Sequence, residues 1–457
     1  MKQNISQTLR HTAKILDAWL PYKIQYENIP GLSVGIVYQG KLVYQQGFGY
    51  ANVSKKIPAT PDTCYRIASI SKIFTAVAIM QLVEQGKVRL NDTVTRYLPW
   101  FHIQTKHFTS QNITIRHLLS HTSGIWRDGD TPHWETDTFP NFAEVKKSLS
   151  EKTLVFPNNT VFKYSNFGFA LLGEVIKQVS GMEYGEYVTT HIINPLHLKH
   201  TTPDFSEQAN KWLATGYARH IPDATRQTFH HTQTNVYAPA AGFLSNVLDM
   251  ARYLVALSPQ NTDNILINQK SKKMLMKKHH RTGENDEAYG LGFEMYTIKK
   301  RNIVGHGGSF PGFSTFIALD AKNDIGVVVL ANTNKCHIQD ITTSIFATLY
   351  TLIDEPQRFN AHKKILQQNK YEGTYRGRYG DTVVVGIDTT LVSFTTDTDS
   401  PLTDDTVLHA KKLDVFTMTP RSYFDARGEE ALFLFNKNKK HAVKLLMGTM
   451  SQTRIKK

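Results

Sequence analysis

The sequence predicts an α+β fold: an antiparallel sheet flanked by helices, with a helical region inserted between its parts, followed by a small C-terminal all-β, barrel-like domain. Three features lead there. β-rich runs open after residue 30 and return between about 288 and 333, while the stretch between them carries helical patterns. Strands at both ends with helices in the middle suit one sheet into which a helical region is inserted. Beyond about residue 370 the composition shifts to short β-rich runs separated by turn residues, the mark of a small antiparallel barrel or sandwich.

In chain order, Ile5, Leu9, Ile15, Leu16, Trp19 and Leu20 follow a helical stripe. After Pro30-Gly31, "LSVGIVYQGKLVYQQGFGYAN" supplies two β-rich runs joined near Gln39-Gly40, a hairpin signal. "RIASISKIFTAVAIM" (66–80) reads as the start of an apolar helix that runs to about Gln85 and is closed by Gly86. "ITIRHLLSHTSGI" (113–125) reads as a helix ending in a turn, "FKYSNFGFALLGEVIKQVSG" (162–181) as a loop passing into a helix, and "AAGFLSNVLDMARYLVALS" (240–258) as a helix with a glycine-containing entry. Strands return in "YGLGFEMYTI", "NIVGHGGSFPGFSTFIALD" and "IGVVVLANTN". The polar segment "DEPQRFNAHKKILQQNK" reads as a linker with a helical piece. "TVVVGI", "LVSFTT", "DVFTMTP", "EALFLFN" and "AVKLLMG" follow it. The expected boundaries are a main domain over 1–353, a linker over 354–370 and a β-barrel accessory domain over 371–457.

A chain of 457 residues with 40% apolar and 20% charged residues can bury a sizeable core. Its net charge of +14 raises the question of nucleic acid. The basic residues are scattered, with short clusters at Lys272-Lys273, Lys277-Lys278 and Lys456-Lys457, and no nucleic-acid motif accompanies them, so a solvated basic surface is expected and no nucleic-acid partner. Cys64 and Cys336 are too few for a disulfide framework and read as buried free thiols. The N-terminus lacks the uninterrupted apolar stretch of a signal peptide, and no run approaches the roughly 18 apolar residues of a membrane span, so a soluble, cytoplasmic protein is expected.

One ammonium group stands inside the apolar 66–80 stretch. Lys72 follows Ser69 by three residues, which places both on one helix face. A serine hydroxyl needs a base to take its proton, and a lysine becomes one when burial disfavours its charged form. Ile67, Ile70, Ile73, Phe74 and Val77 would provide that burial, and a helix N-terminus favours developing negative charge. Alone, the pair better describes a lysine snorkelling from a core helix. Two further stretches favour the catalytic reading. Tyr164-Ser165-Asn166 stands at a loop-to-helix junction, where a phenol could relay a proton and an amide could hold a substrate carbonyl. In "GHGGSFPGF" (305–313), Gly307 and Gly308 leave a strand edge bare for substrate, and the N–H of Ser309 could share an oxyanion with that of Ser69.

The ordered set Ser-x-x-Lys, Tyr-x-Asn and His-x-Gly resembles the penicillin-recognising serine hydrolases: serine β-lactamases, penicillin-binding proteins and their peptidase and esterase relatives. It is most similar to the class C β-lactamase-like branch, with "ITIRHLLSHTSGI", "PAAGFLSNVLDMARY" and "YGLGFEM" in support, over roughly residues 10–350. The resemblance implies a site between sheet and helical part. It implies Ser69 as nucleophile, Lys72 and Tyr164 as proton carriers and Asn166 as a substrate contact, with Ser69 and Ser309 backbone N–H groups as oxyanion hole. His306 stands where the best-known members carry lysine, which turns the expectation from penicillin hydrolysis toward a peptidase (D-residue peptides) or esterase acting on small amides or esters. A class C-like β-lactamase and a non-turnover penicillin- or peptide-binding protein are the alternatives. No metal or cofactor is implied, the expected partner is a small molecule or short peptide, and the oligomeric state is left open. The "YEGTYRGRYG" region looks like the lipocalin-like barrels appended to some relatives.

Other matches read as structural. Ser33 fits G-x-S-x-G, but Pro30 precedes it and a β run follows, where a nucleophile elbow needs a strand and then a helix. Tyr50-Ala51-Asn52 repeats Tyr-x-Asn but closes a strand. His117 and His121 have metal-ligand spacing without a third ligand and read as a hydrogen-bonding pair at a helix end. His230-His231, His279-His280 and Lys163 read as exposed.

Overall fold

The computed structural model describes residues 5–105, 112–283, 287–360, 365, 367–422, 426–438 and 440–455; Lys456-Lys457 and part of the expected linker lie outside them. The strands are β1 (Gly31–Tyr38), β2 (Lys41–Asn52), β3 (Ile57–Pro58), β4 (Tyr65–Arg66), β5 (Gly216–Tyr217), β6 (Thr228–Phe229), β7 (Leu244–Ser245), β8 (His280–Arg281), β9 (Ala288–Tyr289), β10 (Glu294–Ile298), β11 (Arg301–Phe310), β12 (Phe313–Asp320) and β13 (Ile325–Ala331). β14 (Gly373–Arg376), β15 (Asp381–Ile387), β16 (Thr390–Thr395), β17 (Asp405–Lys412), β18 (Val415–Pro420), β19 (Glu430–Phe435), β20 (Ala442–Met447) and β21 (Met450–Arg454) complete them. The helices are α1 (Ile5–Tyr26), α2 (Ser71–Glu84), α3 (Val94–Tyr97), α4 (Ile115–Leu119), α5 (His133–Thr136), α6 (Phe142–Glu151), α7 (Asn166–Ser180), α8 (Tyr184–Val188), α9 (Val247–Leu257), α10 (Gln269–Leu275) and α11 (Ile338–Asp354). No helix among the described residues is long and apolar enough to cross a membrane.

Contacts divide the chain into two units, Ile29–Gln339 and a second made of Met1–Asn28 with Asp340–Lys457. α1 and most of α11, expected in the main domain, group by contacts with the barrel.

In the larger unit, nine antiparallel strands run in the order β3-β2-β1-β13-β12-β11-β10-β9-β8. The β1–β2 hairpin pairs at the centre with β13, the last strand of the unit (Ser33 opposite Leu330), so the helical region is inserted within one sheet as expected. β1, β12 and β13 are near-continuous runs of buried residues, the pattern of strands covered on both faces. The core gathers around α2, whose residues from Ser71 to Leu82 are all buried. Phe74 stacks between Phe243 and Tyr253, ring centroids 4.4 and 4.0 Å away.

The expected apolar helix starts later than the sequence suggested. Arg66 is in β4, paired with Leu244; residues 68–70 form a 3₁₀ turn, and α2 begins at Ser71. "AAGFLSN" is likewise a π-turn (238–242) and β7 before α9 starts at Val247. Apolar periodicity cannot separate these, because both segments are buried almost throughout and carry apolar residues on every side.

In the smaller unit, β14 to β21 close into an eight-stranded barrel. β14 falls in the quoted "YEGTYRGRYG" region, while β17 and β21 lie outside the quoted β-rich runs, because theirs mix Thr, Asp, Lys and Gln with apolar residues. α1 lies along β15, with Trp19 Nε1 donating to Thr398 O (2.9 Å), Tyr22 hydroxyl to Thr374 (3.0 Å), and Lys14 paired with Glu372.

Candidate active site

Ser69 is set by the turn between β4 and α2. Ile67 N–H donates to Phe243 O (2.9 Å), which ties the turn to the strand before α9. Ala68 takes φ +49°, a left-handed conformation that costs a non-glycine residue on the order of 1 kcal/mol or more. The strained residue stands directly before Ser69, which is half-buried on the 3₁₀ turn while its neighbours Ala68 and Ile70 are buried.

One turn on, Lys72 is fully buried. Its Nζ lies 3.1 Å from Ser69 Oγ, 2.8 Å from Asn166 Oδ1 and 2.8 Å from Ala240 O. The last two oxygens can only accept, so they fix two of the amine's N–H bonds and leave its remaining position facing the serine hydroxyl. Burial holds the Lys72 amine well below the ordinary lysine range, with Asp128 pulling partly the other way and Arg127 reinforcing the fall.

Tyr164 and Asn166 come from the entry to α7. Ser165 is the N-cap: its Oγ accepts from Gly168 N–H (2.9 Å) and donates to Trp126 O (2.5 Å). Its own N–H donates to His121 Nδ1 (3.0 Å). Tyr164 is hydrogen-bonded with Ser69, and burial pushes its phenol up, so it stays protonated at neutral pH. The Lys72 amine sits 4.8 Å from the Tyr164 ring centre. Asn166 is engaged at both ends, accepting from Lys72 and donating through Nδ2 to Asp128 Oδ1 (2.8 Å).

The third wall is β11. β10 pairs only with residues 301–305, so beyond Gly305 this side of β11 has no partner strand among the described residues, and the bare edge expected from the sequence is there. The reason for Gly308 is different from the one expected. A Cβ at Gly308 would stand 2.2 Å from Ile67 O and 2.3 Å from Thr315 Oγ1, so the missing side chain lets β11 lie against the turn that carries Ser69. Gly307 is less tight, its missing Cβ 3.2 Å from the Phe316 ring. His306 is buried, its Nδ1 donating to Gly307 O (2.6 Å) and its Nε2 accepting from the Tyr289 hydroxyl (2.9 Å). Burial and then the Lys72 charge hold it down to about 3, so it is a neutral imidazole. Glu294 contacts His306 Nδ1 (3.4 Å) and accepts from Gly307 N–H (3.3 Å). Burial pushes this carboxyl up to about 7, although its side chain keeps 34% of its exposure.

Arg127 and Asp128, in an irregular polar loop, had no readable signal; Ala240, Tyr289 and Glu294 lie in stretches that support the family resemblance, but it is a backbone oxygen and sheet pairing that bring them to the site. His121, read as a helix-end residue, packs its ring on Tyr164 (4.3 Å) as well as accepting from Ser165 N–H. His117 does cap α4, its Nδ1 accepting from Thr114 N–H (3.2 Å). No metal-holding cluster occurs among the described residues.

Ser33 is buried in β1, donating to Thr60 O (2.8 Å) and bonded to the Tyr65 hydroxyl (2.7 Å), and Asn52 closes β2 with its amide on Thr215 Oγ1 (2.8 Å). Surface expectations fail at Lys272, His231, His279, His280 and Lys163. Lys272 is buried, its Nζ donating to Asn261 O (2.8 Å), because α10 packs it over the end of α9. His231 is half-buried between Phe205 and Phe313, and His279 is half-buried where its N–H pairs with Tyr289 O. Lys163 is also half-buried. Cys64 is a buried free thiol, and Cys336 is half-buried.

Known proteins are similar to this chain in sequence and fold. The chain is 32% identical to "Protein flp" of Staphylococcus aureus (strain MW2) over 361 residues, 78% of this chain and 69% of that protein. It is 25% identical to "Beta-lactamase" of Escherichia coli (strain K12) over 343 residues, 68% of this chain and 86% of that one. Among solved structures, the octameric penicillin-binding protein homologue from Pyrococcus abyssi superimposes with a TM-score of 0.64 at 25% identity, covering 98% of this chain and 99% of its own. A family model described as Beta-lactamase matches residues 16–343, so the chain belongs to the β-lactamase family.

Proposed function

We propose that the protein is a serine hydrolase that forms an acyl-enzyme at Ser69 and hydrolyses small amides or esters. The observation that carries this is the Lys72 amine, buried, with two of its positions taken by oxygens that can only accept and the third on Ser69 Oγ. In acylation Ser69 Oγ attacks the substrate carbonyl and its proton passes to neutral Lys72. The Ser69 and Ser309 N–H groups hold the resulting oxyanion. Tyr164, kept protonated by burial, gives its proton to the leaving group and regains one from the Lys72 ammonium. Deacylation runs the same proton path with water as nucleophile. A substrate lies along the bare edge of β11, and Asn166 reaches it only if its amide leaves Asp128.

A neutral His306 supplies no cation for a substrate carboxylate. This favours ester and peptide substrates, including D-residue peptides, over penicillins. The test is intact mass with time after adding p-nitrophenyl acetate, on wild type and Ser69→Ala. A single acetyl increment on wild type alone, decaying with turnover, supports the reading. Turnover retained in Ser69→Ala sinks it. A stable increment without turnover assigns a penicillin- or peptide-binding role, and nitrocefin hydrolysis lost in Ser69→Ala restores the β-lactamase reading.

A further inference from the structure

α4 closes on a residue that a helix end alone does not call for. The Thr122 N–H donates to His117 O (2.9 Å) and the His121 N–H to Leu118 O (3.4 Å), the paired bonds that end a helix through one left-handed residue. His121 is that residue, with φ +56°. Glycine or asparagine is usual there, because a larger side chain is strained in that conformation. His121 is also fully buried. A strained, buried histidine points to something its side chain does that glycine cannot.

That role is visible around Tyr164. The His121 carbonyl accepts from Lys163 N–H (2.7 Å), and its Nδ1 accepts from Ser165 N–H (3.0 Å). These two amides flank Tyr164, so one residue holds the backbone on both sides of the phenol. The His121 ring centre lies 4.3 Å from that of Tyr164, the planes tilted by 35°. Tyr289 and Phe169 pack on the imidazole at 4.8 and 5.1 Å. Burial, and then the Lys72 charge, holds the imidazole well below its ordinary range, so it is neutral. With Nδ1 accepting, the ring proton is on Nε2, which is buried with no hydrogen-bond partner among the described residues. The ring's polar anchor is therefore the segment that carries Tyr164. The Tyr164 hydroxyl is bonded with Ser69 at the far end of a long rigid ring, where a small backbone shift is carried to the reacting atoms.

We propose that His121 is a positioning residue: it grips the backbone on both sides of Tyr164 and backs its ring, so that the phenol is presented to Ser69. The inference rests on the acyl-enzyme reading above. It does not require His121 to touch substrate or to exchange a proton.

The test is a double-mutant cycle read as p-nitrophenyl acetate turnover per folded molecule, with Ser69→Ala as the baseline. His121→Phe keeps an aromatic ring and removes the acceptor. Its kcat is expected to fall at least about tenfold with KM within about threefold of wild type, as misplacement of a group near the reacting atoms implies. His121→Asn restores an acceptor two bonds from Cβ and tolerates the left-handed backbone; it is expected to turn over at least about threefold faster than His121→Phe. In a Tyr164→Phe background, adding His121→Phe is expected to change kcat less than about twofold, because the residue acts through the phenol. The rising limb of the pH–rate profile is expected to stay in place in His121→Phe, whereas a site loosened as a whole would let water reach Lys72 and move the limb upward. Wild-type kcat in His121→Phe, no rescue by His121→Asn, additive losses in the cycle, or an upward-moved limb each overturns the inference. Turnover retained in Ser69→Ala strikes the acyl-enzyme reading and the inference together; turnover lost there but kept in His121→Phe strikes the inference alone. If His121→Phe fails to fold, His121→Gly, free of the backbone strain and also without the acceptor, takes its place with the same outcomes.

Discussion

Gly308→Ala tests whether β11 and the Ser69 turn form one catalytic unit. The added Cβ would begin 2.2 Å from Ile67 O and 2.3 Å from Thr315 Oγ1. Such contacts are not tolerated below 3.0 Å, so the two backbones must part by at least about 0.8 Å. Neither side yields cheaply. The Ile67 carbonyl accepts from Thr315 Oγ1 (3.1 Å), its N–H is held by Phe243 O (2.9 Å), and Ala68 beyond it is already left-handed. Overpacking of this kind costs about 1–3 kcal/mol. At roughly 2–4 °C per kcal/mol for a domain of a few hundred residues, melting should fall by roughly 2–12 °C. Parting the strand from the turn also separates the Ser69 and Ser309 N–H groups, and a misplacement near 1 Å can cost on the order of 10²-fold in turnover. Gly307→Ala is the control: its Cβ meets the Phe316 ring at 3.2 Å, and a side chain gives way by a few tenths of an ångström. The assay is p-nitrophenyl acetate turnover beside a thermal melt for both variants. Gly308→Ala turning over within about threefold of Gly307→Ala, with an equal melting point, would refute the reasoning.

Three further outcomes are expected. Lys72 must be neutral to accept the serine proton, and burial lowers its pKa, so turnover should rise with pH along a limb well below the ordinary lysine range; Lys72→Arg, which cannot deprotonate, should lose roughly 10²–10⁴-fold, as measured by a pH–rate profile. Asp128→Ala frees the Asn166 amide and removes the carboxylate that supports the charged form of Lys72. Turnover should fall and the rising limb should move to lower pH, and a limb moved upward would contradict the assignment. Ser33→Ala leaves Thr60 O and the Tyr65 hydroxyl short of a partner, so it should cost about 1–3 kcal/mol in a urea melt while turnover per folded molecule is kept.

The sequence by itself determined the run of β-rich and helical stretches, the eventual barrel, and the Ser-x-x-Lys and Tyr-x-Asn stretches whose Ser69, Lys72, Tyr164 and Asn166 the structure brings together. Those are local matters. The three-residue step from Ser69 to Lys72, the Tyr-x-Asn junction at the start of α7 and the glycines of β11 all occur within short stretches whose chemistry can be read along the chain. Where the reading differs from the structure at the starts of α2 and α9, burial erased the local signal, because an amphipathic pattern does not describe those segments; Lys272 is a lysine on the buried face of α10, held by distant backbone oxygens that no local pattern announces. Only the tertiary structure decided why Gly308 is glycine, because the atoms that exclude a side chain there belong to Ile67 and Thr315, 241 and 7 residues away. The same holds for Ala240 O and Asp128, which orient Lys72 and Asn166 from distant segments. A buried amine becomes a base through its whole surroundings, and those surroundings exist only once the chain has closed around it.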